Sequence, residues 1–205
     1  MSKNLSILKD LAQKRAAADW FKGLFKQAHL EVTDTGEKFT ISLQGNRIDV
    51  AAGLEGRKPN LIIPVESENL RWLADAFSDG KIDGEEEYRI VKYLLKPCLK
   101  ASLVMPILRN KAIVSLLKVN THWQEALVHP KGTEDEKVTV IYINKQWLVI
   151  PGWHGTPQRR LLLKPEQFLD FQRRVFQADA SGNLADWVKL TRWYVKWREA
   201  ITVSV

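Results

Sequence analysis

Lys38-Phe39-Thr40-Ile41-Ser42-Leu43-Gln44-Gly45-Asn46-Arg47-Ile48-Asp49-Val50 reads as two short strands joined by a tight turn. Phe39, Ile41 and Leu43 alternate with Thr40, Ser42 and Gln44, the period of two that turns one face to a core and the other to water. Gln44-Gly45-Asn46 is short enough to close an antiparallel hairpin. The pattern returns roughly one hundred residues later. Lys137-Val138-Thr139-Val140-Ile141-Tyr142 follows the first strand, Trp147 and Val149 follow Ile48 and Val50, and Gly152-x-x-Gly155 follows Gly53-x-x-Gly56. Leu61-Ile62-Ile63 matches Leu161-Leu162-Leu163, Phe77 matches Phe176, and Lys92-Tyr93-x-x-Lys96 matches Arg192-Trp193-x-x-Lys196.

Working outward, each copy gains the same neighbours. Residues 4–27 and Ile107–Trp123 place apolar side chains at helical spacing ahead of the strands. The strands of the first copy are expected at Leu30–Val32, Phe39–Leu43, Arg47–Ala52 and Leu61–Val65. Those of the second are expected at Ala126–His129, Val138–Ile143, Gln146–Ile150 and Arg160–Leu163. Ser67-Glu68 and Pro165-Glu166 open a helix after each sheet, since Pro suits the first turn and a carboxylate suits the dipole. Further helices are expected at Glu85–Lys100 and Leu184–Ala200. The fold class is therefore α+β: two tandem α-ββββ-α-α repeats, residues 1–104 and 105–205, with small antiparallel sheets and pseudo-two-fold symmetry in one compact bilobed unit. In the second copy Ile141, Ile143, Leu148 and Ile150 fill the face that is polar in the first, which predicts a cover on both sides, from helices or another chain.

The 205 residues are 45% hydrophobic and hold one cysteine, Cys98, so no internal disulfide is expected and a reducing, cytoplasmic setting is. No apolar run is long enough to predict membrane insertion. Charge is uneven: residues 1–100 carry 16 Lys+Arg against 15 Asp+Glu, and residues 101–205 carry 15 against 9. Six of the eight tryptophans also fall in the second half, and basic charge with clustered aromatics is the composition of a nucleic-acid surface.

The segment Pro157-Gln158-Arg159-Arg160-Leu161-Leu162-Leu163-Lys164-Pro165-Glu166-Gln167-Phe168 follows a hairpin and a glycine-bearing loop. With them it resembles the single-stranded-DNA-binding fold of the positive-coactivator, Whirly and Pur-alpha proteins, across residues 28–76 and 125–176. That resemblance implies four antiparallel strands followed by a helix, repeated in the chain, and a single-stranded DNA or RNA partner. The implied contacts are stacking by Trp153 beside His154, and by Trp147, with Lys145, Arg159 and Arg160 on phosphates. Thr40, Ser42, Arg47, Arg57 and Lys58 act similarly in the first copy. The Lys-Gly-Lys-Ala signature of Whirly proteins is absent from the sequence.

A second resemblance is to sterol-carrier-type lipid-binding domains, through the first hairpin, the apolar third strand and Gly80-Lys81-Ile82. It implies that Leu94, Leu95, Leu99, Leu103, Val104 and Met105 line an apolar cavity. A third reading is a scaffold subunit, a homo-oligomer paired through the second repeat. The stretch Asp75–Glu86 has the spacing of a calcium loop, with Asp75, Asp79, Asp83 and Glu86 at ligand positions, but Phe77 stands where an oxygen is required. No metal and no cofactor are expected. His29, His122, His129 and His154 lack a zinc spacing, and neither glycine pair carries the Lys-Ser/Thr of a phosphate loop. Cys98 has no histidine near it in sequence, so catalysis is not expected.

Overall fold

The structure, a computed structural model, describes residues 2–55, 59, 61–95, 121–143 and 146–203, apart from the side chains of Gln146 and Trp147. The chain divides into two compact units, residues 1–102 and 103–205, both of mixed α and β structure. Among the described residues no helix is long and apolar enough to cross a membrane.

In the first unit α1 (Lys3–Gln13) is capped by the Ser2 hydroxyl, which accepts from Leu5 N, and α2 (Arg15–Phe21) follows after a break at Lys14. The sequence reads as one helix across this break. On a continuous helix, at 100° per residue, Leu8 and Leu11 would point about a quarter-turn away from Ala17, Ala18 and Phe21. All five are buried, so the chain kinks to face both sets inward. Lys14 Nζ closes the kink by donating to the Ala74 carbonyl and the Ser78 hydroxyl. Trp20, Phe21, Phe25 and Phe77 then form an aromatic cluster with ring centroids 5.0–6.2 Å apart.

Strands β1 (Gln27–Val32), β2 (Lys38–Gln44), β3 (Arg47–Ala52) and β4 (Leu61–Val65) form a sheet in the order β3-β2-β1-β4. The first three are an antiparallel meander, as the hairpin spacing predicts. The fourth corrects the expectation: β4 lies parallel to β1, from Ala28 opposite Leu61 to Val32 opposite Val65. A parallel neighbour cannot be reached by a tight turn. The connection after Gly53 must cross from the end of β3 to the start of β4, and it is pinned to the sheet on the way. Helix α3 (Ser67–Ala76) follows, then α4 (Gly84–Ile90), which runs into a π-helical turn at Val91–Leu95.

Among the described residues the second unit has a like order of its first four strands. Strands β5 (His122–Val128), β6 (Glu134–Ile143), β7 (Gln146–Pro151) and β8 (Arg159–Leu163) take the order β7-β6-β5-β8, with β8 parallel to β5. Most of the helix expected at Ile107–Trp123 lies outside the described residues. Its last residue, Trp123, is in β5, which starts at His122 rather than Ala126. Helices α5 (Pro165–Ser181) and α6 (Leu184–Ala200) follow, separated by Gly182 at φ 61°, the left-handed cap that glycine adopts without strain. A fifth strand, β9 (Thr202–Val203), pairs antiparallel with β8 and was not legible in sequence. Leu161, Leu163 and Ile201 pack with Trp123 and Trp197 to form the helix-side core.

The ladders also revise the alignment of the two halves. His29 faces Thr40 and Ile62, while Gln124 faces Thr139 and Arg160. Ile62 thus corresponds to Arg160, and Ile63 and Val65 correspond to Leu161 and Leu163, all four of these being core-facing and buried. The cover expected over the second sheet is incomplete: Ile143 is 51% exposed and Leu148 44%.

Candidate functional site

The crossing connection is the feature that gathers polar side chains in each unit. In the first, Thr40 is buried beneath it; its hydroxyl donates to the Gly53 carbonyl at 2.9 Å and accepts from Glu55 N at 2.8 Å. Gln27 Nε2 donates to the Glu55 carbonyl at 2.7 Å, and His29 Nε2 lies 3.4 Å from the same oxygen. In the second unit the fully buried Thr139 donates to the Gly152 carbonyl and accepts from His154 N, both at 2.8 Å. Gln124 Nε2 donates to the His154 and Gly155 carbonyls, and His122 Nε2 lies 3.3 Å from the His154 oxygen. A buried hydroxyl that is both donor and acceptor leaves neither loop amide nor loop carbonyl unpaired, which is how an irregular segment is held against a sheet.

The loops differ at their apex. Leu54 in the first unit is 46% exposed. Trp153 in the second has the Arg160 guanidinium carbon 3.9 Å from its ring centroid and Lys137 Nζ 4.5 Å away. Arg160 also donates through Nε and Nη2 to Gln124 Oε1, at 3.3 and 3.1 Å. The buried Gln124 amide thereby joins the loop backbone to the cation over the tryptophan. Sequence reading missed both Gln124 and Lys137. Gln124 lies ahead of the strand expected from Ala126, so no local pattern marked it, and Lys137 became informative through its register alone.

The residues expected to contact nucleic acid are therefore spread over several places. Trp153, His154 and Arg160 come together, with His154 Nε2 donating to the Pro151 carbonyl at 2.7 Å. Arg159 does not join them. It is the next residue along β8, pairs with Trp123 and so faces the helices, whereas Arg160 faces the loop. Thr40 is spent inside its own unit. Ser42 is half-buried opposite Asp49, and Arg47 Nε is paired with Asp49 at 2.8 Å. Lys145, Arg57, Lys58 and Cys98 lie outside the described residues, as do Leu99, Leu103, Val104 and Met105. Leu94 and Leu95 are buried in the first core.

The acidic turn is closed by its own side chains. Asp75 belongs to α3, and Phe77 is buried in the aromatic cluster rather than turned toward a cation. Asp83 Oδ1 accepts from Glu86 N at 2.8 Å and Glu86 Oε2 accepts from Asp83 N at 3.0 Å, a reciprocal cap on α4. Among the described residues no three His, Cys, Asp or Glu side chains are placed to hold a metal.

Beyond the loop, the second unit carries an aromatic layer on its helices. Phe171 of α5 stacks on Trp193 and Trp197 of α6, at 6.4 and 5.2 Å, and Tyr194 lies 5.8 Å from Trp197. None of the 17 residues of α6 is buried, although these rings turn inward. Burial of the Tyr194 hydroxyl raises its pKa, with Glu125 adding to the rise and Arg198 and Arg159 opposing it. Trp197 Nε1 and Arg198 Nε are shielded from solvent and have no hydrogen-bond partner. The layer thus offers aromatic walls and two unused donors. No family model and no curated protein matches the chain.

Proposed function

We propose that this chain is a non-catalytic binding protein for an amphipathic apolar ligand, and that the ligand lodges against α6. The observation that carries this reading is the half-buried aromatic layer: α6 meets its unit through Trp193, Tyr194 and Trp197 without burying a single residue. Large rings left part-open are an apolar surface awaiting cover, and binding pockets combine such walls with a few polar groups. Trp197 Nε1 and Arg198 Nε supply those groups, since a shielded donor without an acceptor costs about 1–3 kcal/mol until one is provided. A fluorescent long-chain fatty acid and a fluorescent sterol, titrated while tryptophan emission is followed, test the reading. Saturable energy transfer that weakens in Arg198→Gln is expected. No transfer with either ligand would remove the proposal.

Single-stranded nucleic acid is the second reading, favoured by one observation, the Lys137–Trp153–Arg160 cluster on a unit with excess positive charge. Under it the two units are copies of one ancestral element, and the second has acquired the basic-aromatic surface. The arrangement asks that a base displace a cation from the indole or stack on the Arg160 guanidinium. Two features count against ranking it first: the paired arginines diverge to opposite faces, and β4 and β8 run parallel where the resemblance implies antiparallel strands. Anisotropy of a labelled single strand at two salt concentrations distinguishes the readings. Tight, salt-sensitive binding lost in Arg160→Ala would reverse their order.

A further inference from the structure

We propose that helix α6 docks this chain on an anionic membrane surface, lying in the plane of the lipid headgroups with its outward side down. The helix is apolar on two opposite sides. Trp193 and Trp197 turn inward, onto Phe171 of α5. Leu184, Val188 and Val195 turn outward and are 77%, 44% and 38% exposed. At 100° per residue these three fall within about 40° of one another, so they form one stripe along a helix about 25 Å long. Exposed aliphatic side chains scattered singly need no partner, whereas an aligned stripe marks a contact surface.

Charge selects the occupant. By the same geometry Arg192, Lys196 and Lys189 run along one flank of the stripe. Lys189 is held by Asp186 at 2.9 Å, and Glu199 stands in the last turn. The exposed residues of α6 thus include three cations and one carboxylate. Nucleic acid would meet the cations and leave the stripe in water, and a neutral apolar groove would do the reverse. The boundary of an anionic bilayer meets both: headgroups pair with the cations, while their aliphatic stems and the stripe enter the acyl edge. A bilayer is also where an amphipathic ligand of the kind proposed above is held, and to that extent the inference rests on that reading. The two sides of α6 then serve two partners, the rings a ligand and the stripe a membrane.

Co-sedimentation of the full chain with vesicles of phosphatidylcholine, alone or mixed with phosphatidylglycerol, tests this. Neither preparation contains free fatty acid or sterol, so the result is independent of the ligand titration. Binding to the anionic vesicles alone is expected, weakening with salt. It should fall about tenfold in Arg192→Glu and by a similar factor in Val188→Asp. Both positions are exposed, and both variants should keep the wild-type unfolding midpoint. Vesicle binding without uptake of either fluorescent ligand would remove the ligand reading and leave the membrane surface standing. No binding to anionic vesicles at low salt overturns the proposal and leaves the stripe to an acidic protein. Binding lost in Arg192→Glu but kept in Val188→Asp overturns it too, because charge alone then suffices, as it would for nucleic acid. Binding that neither variant weakens places the contact elsewhere and overturns it as well.

Discussion

The crossing loop of the first unit and that of the second hang from the same positions. Gly53 N donates to the Lys38 carbonyl and Gly152 N to the Lys137 carbonyl, and one buried threonine serves each loop. Their apices nonetheless differ in chemistry. Leu54 and Ile62 are apolar and exposed, whereas Trp153 and Arg160 are packed together with Lys137. Both lysines are paired with a carboxylate, Lys38 with Glu31 at 3.2 Å and Lys137 with Glu134 at 3.4 Å, and Lys137 alone has an indole beneath it. The backbone requirement of a crossing connection is met identically in both units, and the side chains above it are free to specialise.

The largest effect is expected from removing the shared anchor. Thr139→Val leaves a loop amide and a loop carbonyl shielded and unpaired, which should cost about 2–4 kcal/mol. Thr40→Val should cost a similar amount, measured by thermal or denaturant unfolding of the full chain. A tolerated substitution at either site would break the equivalence of the two loops.

Next come the apices. Trp153→Leu should cost about 1–2 kcal/mol through lost contact with Arg160 and Lys137. Leu54→Trp should change stability by less than about 0.5 kcal/mol, because Ile62, at the place Arg160 takes in the second unit, offers no cation. Equal effects from the two substitutions would mean that the cations contribute nothing.

The helix connections differ too, the first using the Asp83–Glu86 cap and the second using Gly182 and Asn183. Asp83→Ala should cost about 1 kcal/mol. Calcium should leave the unfolding midpoint unmoved in both proteins, and a calcium-dependent rise confined to the wild type would restore the metal reading of this turn.

The smallest effect is one of pH, and in the first unit it centres on Asp34 and Glu37. Asp34 accepts from the hydroxyl and the amide of Ser67, at 3.1 and 3.0 Å, which holds its carboxyl below the ordinary range. Glu37, bonded to Ser2 and Asn4, is lowered as well. Groups with depressed folded-state pKa values stabilise above their unfolded values and lose that contribution as pH falls through the folded ones. Stability should therefore decline at acid pH below the usual carboxylate range, and Asp34→Asn should flatten that decline. An unchanged acid limb in this variant would assign it to other carboxylates.

Much of the local structure was legible in the sequence. Strands β3 and β4 and helix α6 begin and end where alternation, turn residues and helical spacing place them, because those signals depend on near neighbours in the chain. The start of β5 was not legible, since Trp123 suits the end of a helix as well as a strand. Strand β9 was missed because a two-residue strand has no period to read.

The site was legible in part. Trp153, His154 and Arg160 were singled out through the resemblance to single-stranded-DNA-binding proteins, and the structure places Arg160 over the Trp153 ring. Gln124 and Lys137, which complete that cluster, come from other strands at distances that no local pattern encodes. What the sequence determined by itself was the alternation of apolar and polar side chains, and with it which segments become strands and helices. Tertiary structure alone decided that the fourth strand returns parallel to the first. That choice sends a loop across the sheet, buries two threonines beneath it and turns neighbouring arginines to opposite faces. Strand direction and register are set by the long-range pairing of backbone groups, and a one-residue step along a strand reverses which face a side chain serves.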